Sequence, residues 1–399
     1  MNDNSDKIAQ STALIHHPYQ PPAGFQAPQP GVYKASTVIF PNVAALQARN
    51  WKDKTGYTYG LHGTPTTFVL EERIATLEGG TYTLLVPSGL AAIALVDMAL
   101  LKSGDEVLIP DNAYGPGKEL ARQELARWGI TTRFYDPMKP AALEAMIGAA
   151  TKLLWLEAPG SITMEFPDLR ALLRAARAQG VTTVLDNTWG AGVAFDAFDL
   201  GEGLGVDLSA HALTKFPSGG GDVLMGAVTT RDHDLHLRLK ATHMRMGWGV
   251  GVNDAEAVLG ALPSLPLRYA AQDAAGRALA QWCAQQPQIV QVLHPALAGS
   301  PGHEHWRALC TQAAGLFSVR FDPHLGRDAV HAFVDALKLF KIGYSWAGPV
   351  SLAVPYDLAQ IRPGTRSSGT LVRFSLGLED ERDLQADLAQ ALHAAFGAG

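Results

Sequence analysis

Only two of the 399 residues are cysteine, Cys283 and Cys310. So few thiols exclude a disulfide framework and a cysteine-based metal cluster, and a reducing cytoplasm is the simpler setting. Basic residues are also in short supply: 32 Lys and Arg stand against 38 Asp and Glu, a formal net charge of −6. Phosphate backbones require a basic face, so nucleic acid is not an expected partner. There is no run of like charge and no basic amphipathic tail. No stretch approaches the roughly 18 apolar residues of a membrane span, so no membrane partner is expected. The opening MNDNSDKIAQSTALIHH lacks a basic segment followed by an apolar one and does not read as a secretory signal. A dinucleotide fingerprint is missing as well. Gly219-Gly220-Gly221 does not open a strand-linked helix in the GxGxxG manner, which removes a nicotinamide dehydrogenase from consideration. No GxSxG nucleophile motif stands out.

What is present is a long chain with ample apolar content. Hydrophobic residues make up 47% and charged ones 18%, enough for a large core with much covered surface. The length suggests two or three domains. Residues 1–62 read as an irregular arm broken by Pro21, Pro22, Pro28 and Pro30, suited to wrapping a neighbouring subunit. Residues 63–262 alternate helical periods with short apolar runs: TLLVP, EVLIP, TTRFYD, KLLWLEAP, TTVLD, VDLSAHA and VLMGAVTT. Runs without strict alternation signal a sheet buried on both faces, hence a mostly parallel seven-stranded α/β sheet flanked by helices. Gly80, Gly104, Gly129 and Gly180 mark helix stops. Residues 263–399 read as a small C-terminal α+β domain, with LFSVRF and TLVRFSL as strands and LEDERDLQADLAQALHAAF as an amphipathic helix.

Three places carry chemistry. Ser88-Gly89 opens a helix directly after TLLVP, Asp186 ends the VTTVLD run, and Lys215 follows in HALTKFPSGGGD. All three fall at or near strand C-terminal ends, where a parallel sheet presents its ligand crevice. Taken singly, each has an ordinary explanation: a surface lysine, a helix-capping aspartate, a strand-to-helix turn. Together they provide a phosphate cradle at a helix N-terminus, a carboxylate and a lysine, which is what a pyridoxal cofactor requires.

At these residues the chain resembles the cysteine/methionine-metabolism family of fold-type-I pyridoxal-phosphate enzymes, the PLP-dependent transferase-like fold. The resemblance covers nearly the whole chain. It rests on YGLHGTPT (59–66), LEGG (77–80), PSG (87–89), NAYGP (112–116), EAPGSITMEFPD (157–168), LDNTWGAG (185–192), LTKFPSGGGD (213–222), HPALAGSPGHEHW (294–306), YSWAGPVSL (344–352) and SSGTLVRFSLGLED (367–380). It implies pyridoxal 5'-phosphate as cofactor, with Lys215 as the Schiff-base lysine and proton carrier and Asp186 as the partner of the pyridine nitrogen. Tyr114 is implied as the ring stacked on the cofactor. Gly89, Leu90 and Thr214 fall at the phosphate, and Tyr59 is a tyrosine reaching in from a neighbouring subunit. Arg373 is implied as the grip on the substrate α-carboxylate, with Ser345 and Trp346 in the adjoining loop.

Some positions depart from the family pattern. Leu61, with His62 beside it, stands where many relatives carry a phosphate-contacting arginine. Ala212 replaces a frequent serine, and Gly220-Gly221 replace a histidine-serine pair before Asp222. Met244 stands where some lyases carry a tyrosine.

The resemblance further implies a carbon–sulfur β-lyase acting on L-cystathionine, in the cytoplasm, as a homotetramer built from two dimers. Another member activity, a cysteine desulfhydrase, a γ-lyase or a γ-synthase, is the near alternative. A binding regulator that keeps the fold is the alternative of another class. His233, His236 and His243 read as a solvated helix face rather than a metal site, and His303 and His305 as loop residues.

Overall fold

The structure, a computed structural model, describes residues 8–361 and 369–397. The first seven residues of the arm and Ser367-Ser368 of the last motif lie outside the described residues. The first sheet contains β1 (Tyr82–Val86), β2 (Glu106–Pro110), β3 (Thr131–Tyr135), β4 (Thr151–Glu157), β5 (Thr182–Asp186), β6 (Leu208–His211) and β7 (Gly226–Thr230). Their spatial order is β1-β7-β6-β5-β4-β2-β3. Only β7 runs against its neighbours, β1 and β6; the other pairings are parallel. The mostly parallel seven-stranded sheet expected from the sequence is therefore present.

Its apolar runs lack alternation because successive side chains enter two different cores. Leu85, Leu108, Leu154, Leu156 and Leu185 pack on one face. Leu84, Val107, Ile109, Leu153, Trp155 and Val184 pack on the other. Helices cover both faces, which is the condition for an all-apolar strand.

Local sequence fixes the helices that carry the site. Helix Pro65–Glu78 begins at a Thr64/Thr67 capping box and stops at Gly79, whose φ is +75°. The stop expected at Gly80 thus falls one residue earlier, because the left-handed C-cap needs the residue without a Cβ there. Helix Gly89–Leu100 begins at Ser88, whose hydroxyl accepts the Ala91 N–H at 3.0 Å. The helical stretch expected near 116–128 is interrupted: Gly115–Leu120 is α, and Ala121–Leu125 is a π turn.

The second sheet contains β8 (Ile289–Leu293), β9 (Leu316–Phe321), β10 (Lys341–Ile342), β11 (Leu352–Asp357) and β12 (Thr370–Ser375), in the order β10-β11-β12-β9-β8. Phe317, Phe321, Phe333, Phe340 and Phe374 fill its core. Helix Leu265–Cys283 joins the two layers: Leu265 and Tyr269 pack into the first core, while Leu279 and Cys283 pack into the second.

The arm is less irregular than its prolines suggest. Gln10–Ile15 and Val43–Gln47 are short helices. Leu14 is fully buried, and the Gln10 side chain donates to the carbonyls of Leu77 and Gly192, so this part docks on its own chain. Further along, Phe25, Ile39, Val43 and Tyr59 are exposed.

One glycine fixes how the sheet meets the helix that opens the crevice. A Cβ on Gly226, in β7, would lie 2.3 Å from the Ser88 carbonyl oxygen and 3.0 Å from the Gly89 nitrogen. Gly226→Ala should therefore displace the Ser88-Gly89 turn. It should lower stability by about 1–3 kcal/mol, the usual cost of overpacking. Thermal unfolding of the variant checks this: the transition should move clearly downward, and an unchanged one would mean the turn yields freely.

Candidate active site

Four parallel strands bring their C-terminal ends together, and the sequence-predicted residues follow those ends. Ser88-Gly89 follows β1, Tyr114 follows β2, Asp186 ends β5, and Lys215 lies in the connection after β6. Thr188 links two of these ends. Its hydroxyl donates to Asp186 Oδ1 at 2.6 Å and accepts the Ala212 N–H at 3.0 Å, and its own N–H also donates to Asp186 Oδ1 at 3.1 Å. The carboxylate is thereby fixed against the segment that carries the lysine.

Lys215 Nζ donates to Ser345 Oγ at 2.6 Å and sits 5.4 Å from the centre of the Trp346 ring. Burial, reinforced by the charge of Arg373 and opposed by that of Asp186, pulls the Lys215 amine down to about 8. Ser345 and Ala347 hold φ of +89° and +65°, a left-handed conformation that non-glycine residues adopt only at a cost. Trp346, between them, is braced edge-on against Phe216 at 5.7 Å. The strained loop sets Ser345 over the lysine.

Asp186 is raised from the usual carboxylate range by burial, against the pull of its Thr188 hydrogen bonds and of the His211 and Lys215 charges. Its Oδ1 is spent on Thr188, and Oδ2 has no protein partner among the described residues. Arg373, on β12, is only 6% exposed. Its guanidinium makes one long hydrogen bond, to the Ser345 carbonyl at 3.5 Å, and lies 5.6 Å from the Tyr356 ring centre. No carboxylate among the described residues pairs with it, so a planar set of donors is left for an anion entering the crevice.

These groups fit a pyridoxal-phosphate ligand. The N–H groups of Gly89 and Leu90 open a twelve-residue helix and have no acceptor among the described residues. They suit a phosphate at a helix N-terminus. A Cβ on Gly89 would stand 2.6 Å from the Ala212 Cβ, so the turn and the lysine segment approach as closely as a glycine permits. The Thr214 hydroxyl accepts the Met225 N–H at 3.0 Å and lies 3.1 Å from the Met225 carbonyl. That carbonyl also receives the Thr214 N–H at 3.1 Å, so the hydroxyl hydrogen can turn to a phosphate without leaving it unsatisfied.

Other expected residues fall differently. Tyr59 is 48% exposed and meets His62 edge-on; no hydrogen bond or ring contact joins it to Lys215, Asp186 or Arg373 among the described residues. His236 and His243 are buried rather than solvated: His236 stacks on Tyr82 at 4.8 Å, and His243 Nε2 lies 3.0 Å from the Leu85 carbonyl. His303 and His305 open helix His303–Leu309 instead of lying in a loop.

Sequence reasoning missed Glu157, which ends β4 and is the register partner of Asp186 on the adjacent strand. It lines the same small cavity as Asp186 and Tyr114 and accepts the Tyr114 N–H at 2.8 Å. Burial and the Asp186 charge push its carboxyl well up, which favours the neutral form and keeps the second carboxyl from competing with the first. Its position at a strand end, like that of Asp186, was the available signal. Behind Asp186, Glu78 is fully enclosed. It is held by His211 at 2.6 Å, Asn187 at 2.9 Å and Ser209 at 2.7 Å, which ties the ends of β5 and β6 to helix Pro65–Glu78.

A lysine, an opposed carboxylate, a phosphate-ready helix end and an unpaired arginine around one crevice define the pyridoxal-phosphate enzymes of this fold. The chain matches the family model of Cys/Met metabolism PLP-dependent enzymes over residues 11–393, and it belongs to that family. It is 38% identical to a putative cystathionine beta-lyase of Rhizobium johnstonii, over 92% of this chain and 91% of the relative. It is 36% identical to cystathionine beta-lyase MetC of Escherichia coli K12, over 90% and 91%. The crystal structure of metB from Corynebacterium glutamicum superposes with a TM-score of 0.89 at 29% identity, covering 97% of this chain and 98% of that one. Pyridoxal phosphate is the family's cofactor, and the fold-type-I assignment holds.

The electrostatics of Lys215 give a prediction for the cofactor-free protein. Acylation of this amine should rise with pH through a midpoint of about 8 and level well above it, where the reactive neutral form is fully populated. Arg373→Met removes a repelling positive charge and should move that midpoint upward; Asp186→Asn removes an attracting negative one and should move it downward. Peptide-resolved labelling across pH measures both, and a Lys215 profile like that of an exposed lysine would contradict the burial.

Proposed function

We propose that the chain is a carbon–sulfur β-lyase of methionine biosynthesis that cleaves L-cystathionine, with water, to homocysteine, pyruvate and ammonia. The observation that carries this reading is the buried, unpaired Arg373 guanidinium joined through the Ser345 residue to the Lys215 amine. A substrate carboxylate gripped at Arg373 would bring its Cα–H towards that amine. Relatives named cystathionine beta-lyase, 36–38% identical over at least 90% of this chain, support the choice of reaction.

Bound pyridoxal phosphate supplies an electron sink for the bond broken at the substrate α-carbon. Asp186, as an anion, would hold the proton on the ring nitrogen, and Tyr114 would lie against the ring. Gly89, Leu90 and Thr214 would hold the phosphate. Arg373 binds both oxygens of the α-carboxylate. The Lys215 amine removes the α-proton; its lowered basicity keeps a useful neutral fraction near neutral pH. Its ammonium form then returns a proton to the departing sulfur. The Ser345 hydroxyl keeps the amine aimed.

The reading includes a homotetramer of two dimers in the cytoplasm. Exposed apolar side chains along the arm, among them Phe25, Ile39 and Val43, support covered surface between subunits, and Tyr59 would act in a neighbour's crevice. The free thiols Cys283 and Cys310 are in keeping with a reducing compartment. No helix of the described residues is long and apolar enough to cross a membrane.

Incubation of the purified holoenzyme with L-cystathionine, L-cysteine and L-methionine, with identification of the ketoacid, tests the assignment. L-Cystathionine should give pyruvate and homocysteine and be the preferred substrate. Lys215→Ala should lower turnover by roughly 10²–10⁴-fold or more, the usual weight of a positioned acid–base group. Release of 2-oxobutyrate would instead assign γ-elimination, the activity named for a Pseudomonas putida relative at 33% identity.

A further inference from the structure

Lys215 and Ser345 meet at 2.6 Å, although 130 residues separate them and neither lies in a helix or strand. Connecting segments are the more mobile parts of a fold, and Ser345 and Ala347 also carry the cost of a left-handed backbone. A short contact between two such segments needs a rigid element that holds both. Helix Leu265–Cys283, which packs into both cores, holds them through side chains of one turn.

Arg268 holds the lysine side. Its guanidinium donates to the Phe216 carbonyl at 2.8 Å, the Ala261 carbonyl at 3.1 Å and the Ser264 hydroxyl at 3.1 Å. The turn that carries Lys215 closes where the Gly219 N–H donates to the Lys215 carbonyl at 2.9 Å. A Cβ on Gly219, whose φ is +65°, would lie 2.2 Å from that guanidinium, so a residue without one lets Arg268 reach the turn. Beside it, the Tyr269 ring lies 4.5 Å from the Phe216 ring, and its hydroxyl donates to the Trp189 carbonyl at 3.1 Å, next to Thr188.

Gln272 holds the Ser345 side. It is only 1% exposed, and its Nε2 donates to the Gly348 carbonyl at 3.0 Å. The opposite amide orientation would set its oxygen against a carbonyl oxygen. Oε1 is buried without a partner among the described residues. An unpaired buried acceptor is a cost that an apolar residue would avoid. The amide donor is therefore what glutamine adds at this position. Residues four apart share one face of a helix, with Cβ atoms roughly 5–6 Å from each other, so Arg268 and Gln272 fix the two segments to a single turn.

We propose that Gln272 is a positioning residue for Lys215: it holds the Ser345 loop closed over the amine, against the segment that Arg268 anchors to the same helix turn. The inference rests on Lys215 as the working amine and not on the choice of substrate.

Gln272→Met keeps the length of the side chain and removes the donor, and two measurements test it. The first is peptide-resolved acylation of Lys215 in the cofactor-free protein across pH. Burial is the chief cause of the amine's low basicity, so a freed loop that admits water should move the midpoint above about 8. The second is turnover of L-cystathionine by the holoenzyme. Here kcat should fall by about tenfold to a hundredfold, the scale of a small misplacement, while KM, governed at Arg373, stays near the wild-type value. In a Ser345→Ala background the same substitution should cost much less, because its route to the amine has already been cut. A wild-type acylation midpoint, or equal losses of kcat in the two backgrounds, would overturn the proposal. Gln272→Leu serves the same comparisons should the methionine variant fail to fold. If L-cystathionine is not turned over, the β-lyase reading fails by itself; the acylation midpoint still decides the role of Gln272.

Discussion

Burial of the Lys215 amine between a positive and a negative neighbour is the constraint on which the rest of the site depends. Desolvation and Arg373 lower its basicity, while Asp186 resists. A surface lysine would stay protonated at neutral pH and could not serve as a base. A lysine buried among apolar groups alone would lack any anion to set against the ring nitrogen of a cofactor. The sheet resolves this by ending β5 and β6 side by side: Asp186 closes one strand, and the segment after the other carries the lysine. Thr188 then fastens the two together through one hydroxyl.

Much of the surrounding architecture maintains that placement. Glycine at 89 and at 226 lets the Ser88 turn approach both Ala212 and β7 more closely than any side chain would allow. The strained Ser345–Ala347 loop is held by Trp346 against Phe216, and it links the second sheet to the lysine. Glu157 illustrates how two carboxyls can share a crevice. Being the more strongly disfavoured as an anion, it leaves Asp186 to carry the charge and uses its own oxygen to hold Tyr114. The Glu78–His211–Asn187 cluster secures the strand ends from behind.

The parts legible in the sequence were those with local causes. Strands buried on both faces announce themselves by unalternating apolar runs, which made the inner strands of the first sheet readable; β3, an edge strand with only Tyr135 buried, does not carry that signal. Lys215, Asp186 and the Ser88-Gly89 turn were ambiguous singly and decisive as a set, because their order and motifs match one cofactor. What escaped was set by distance in space. The Lys215–Ser345 bond spans 130 residues of chain, and no local pattern encodes it. The burial of His236 and His243 depends on Tyr82 and β1 packing over their helix, and spacing alone made them look solvated. Glu157 stood at a strand end like Asp186, but only register reveals that the two are neighbours.

The most direct test of the central claim is chemical fixation of the cofactor. Holoenzyme reduced with borohydride and then digested should carry its vitamin B6 label on the peptide containing Leu213–Asp222, at Lys215. Label on another lysine, such as Lys118 or Lys240, or no fixed label at all in a coloured holoenzyme, would contradict the account.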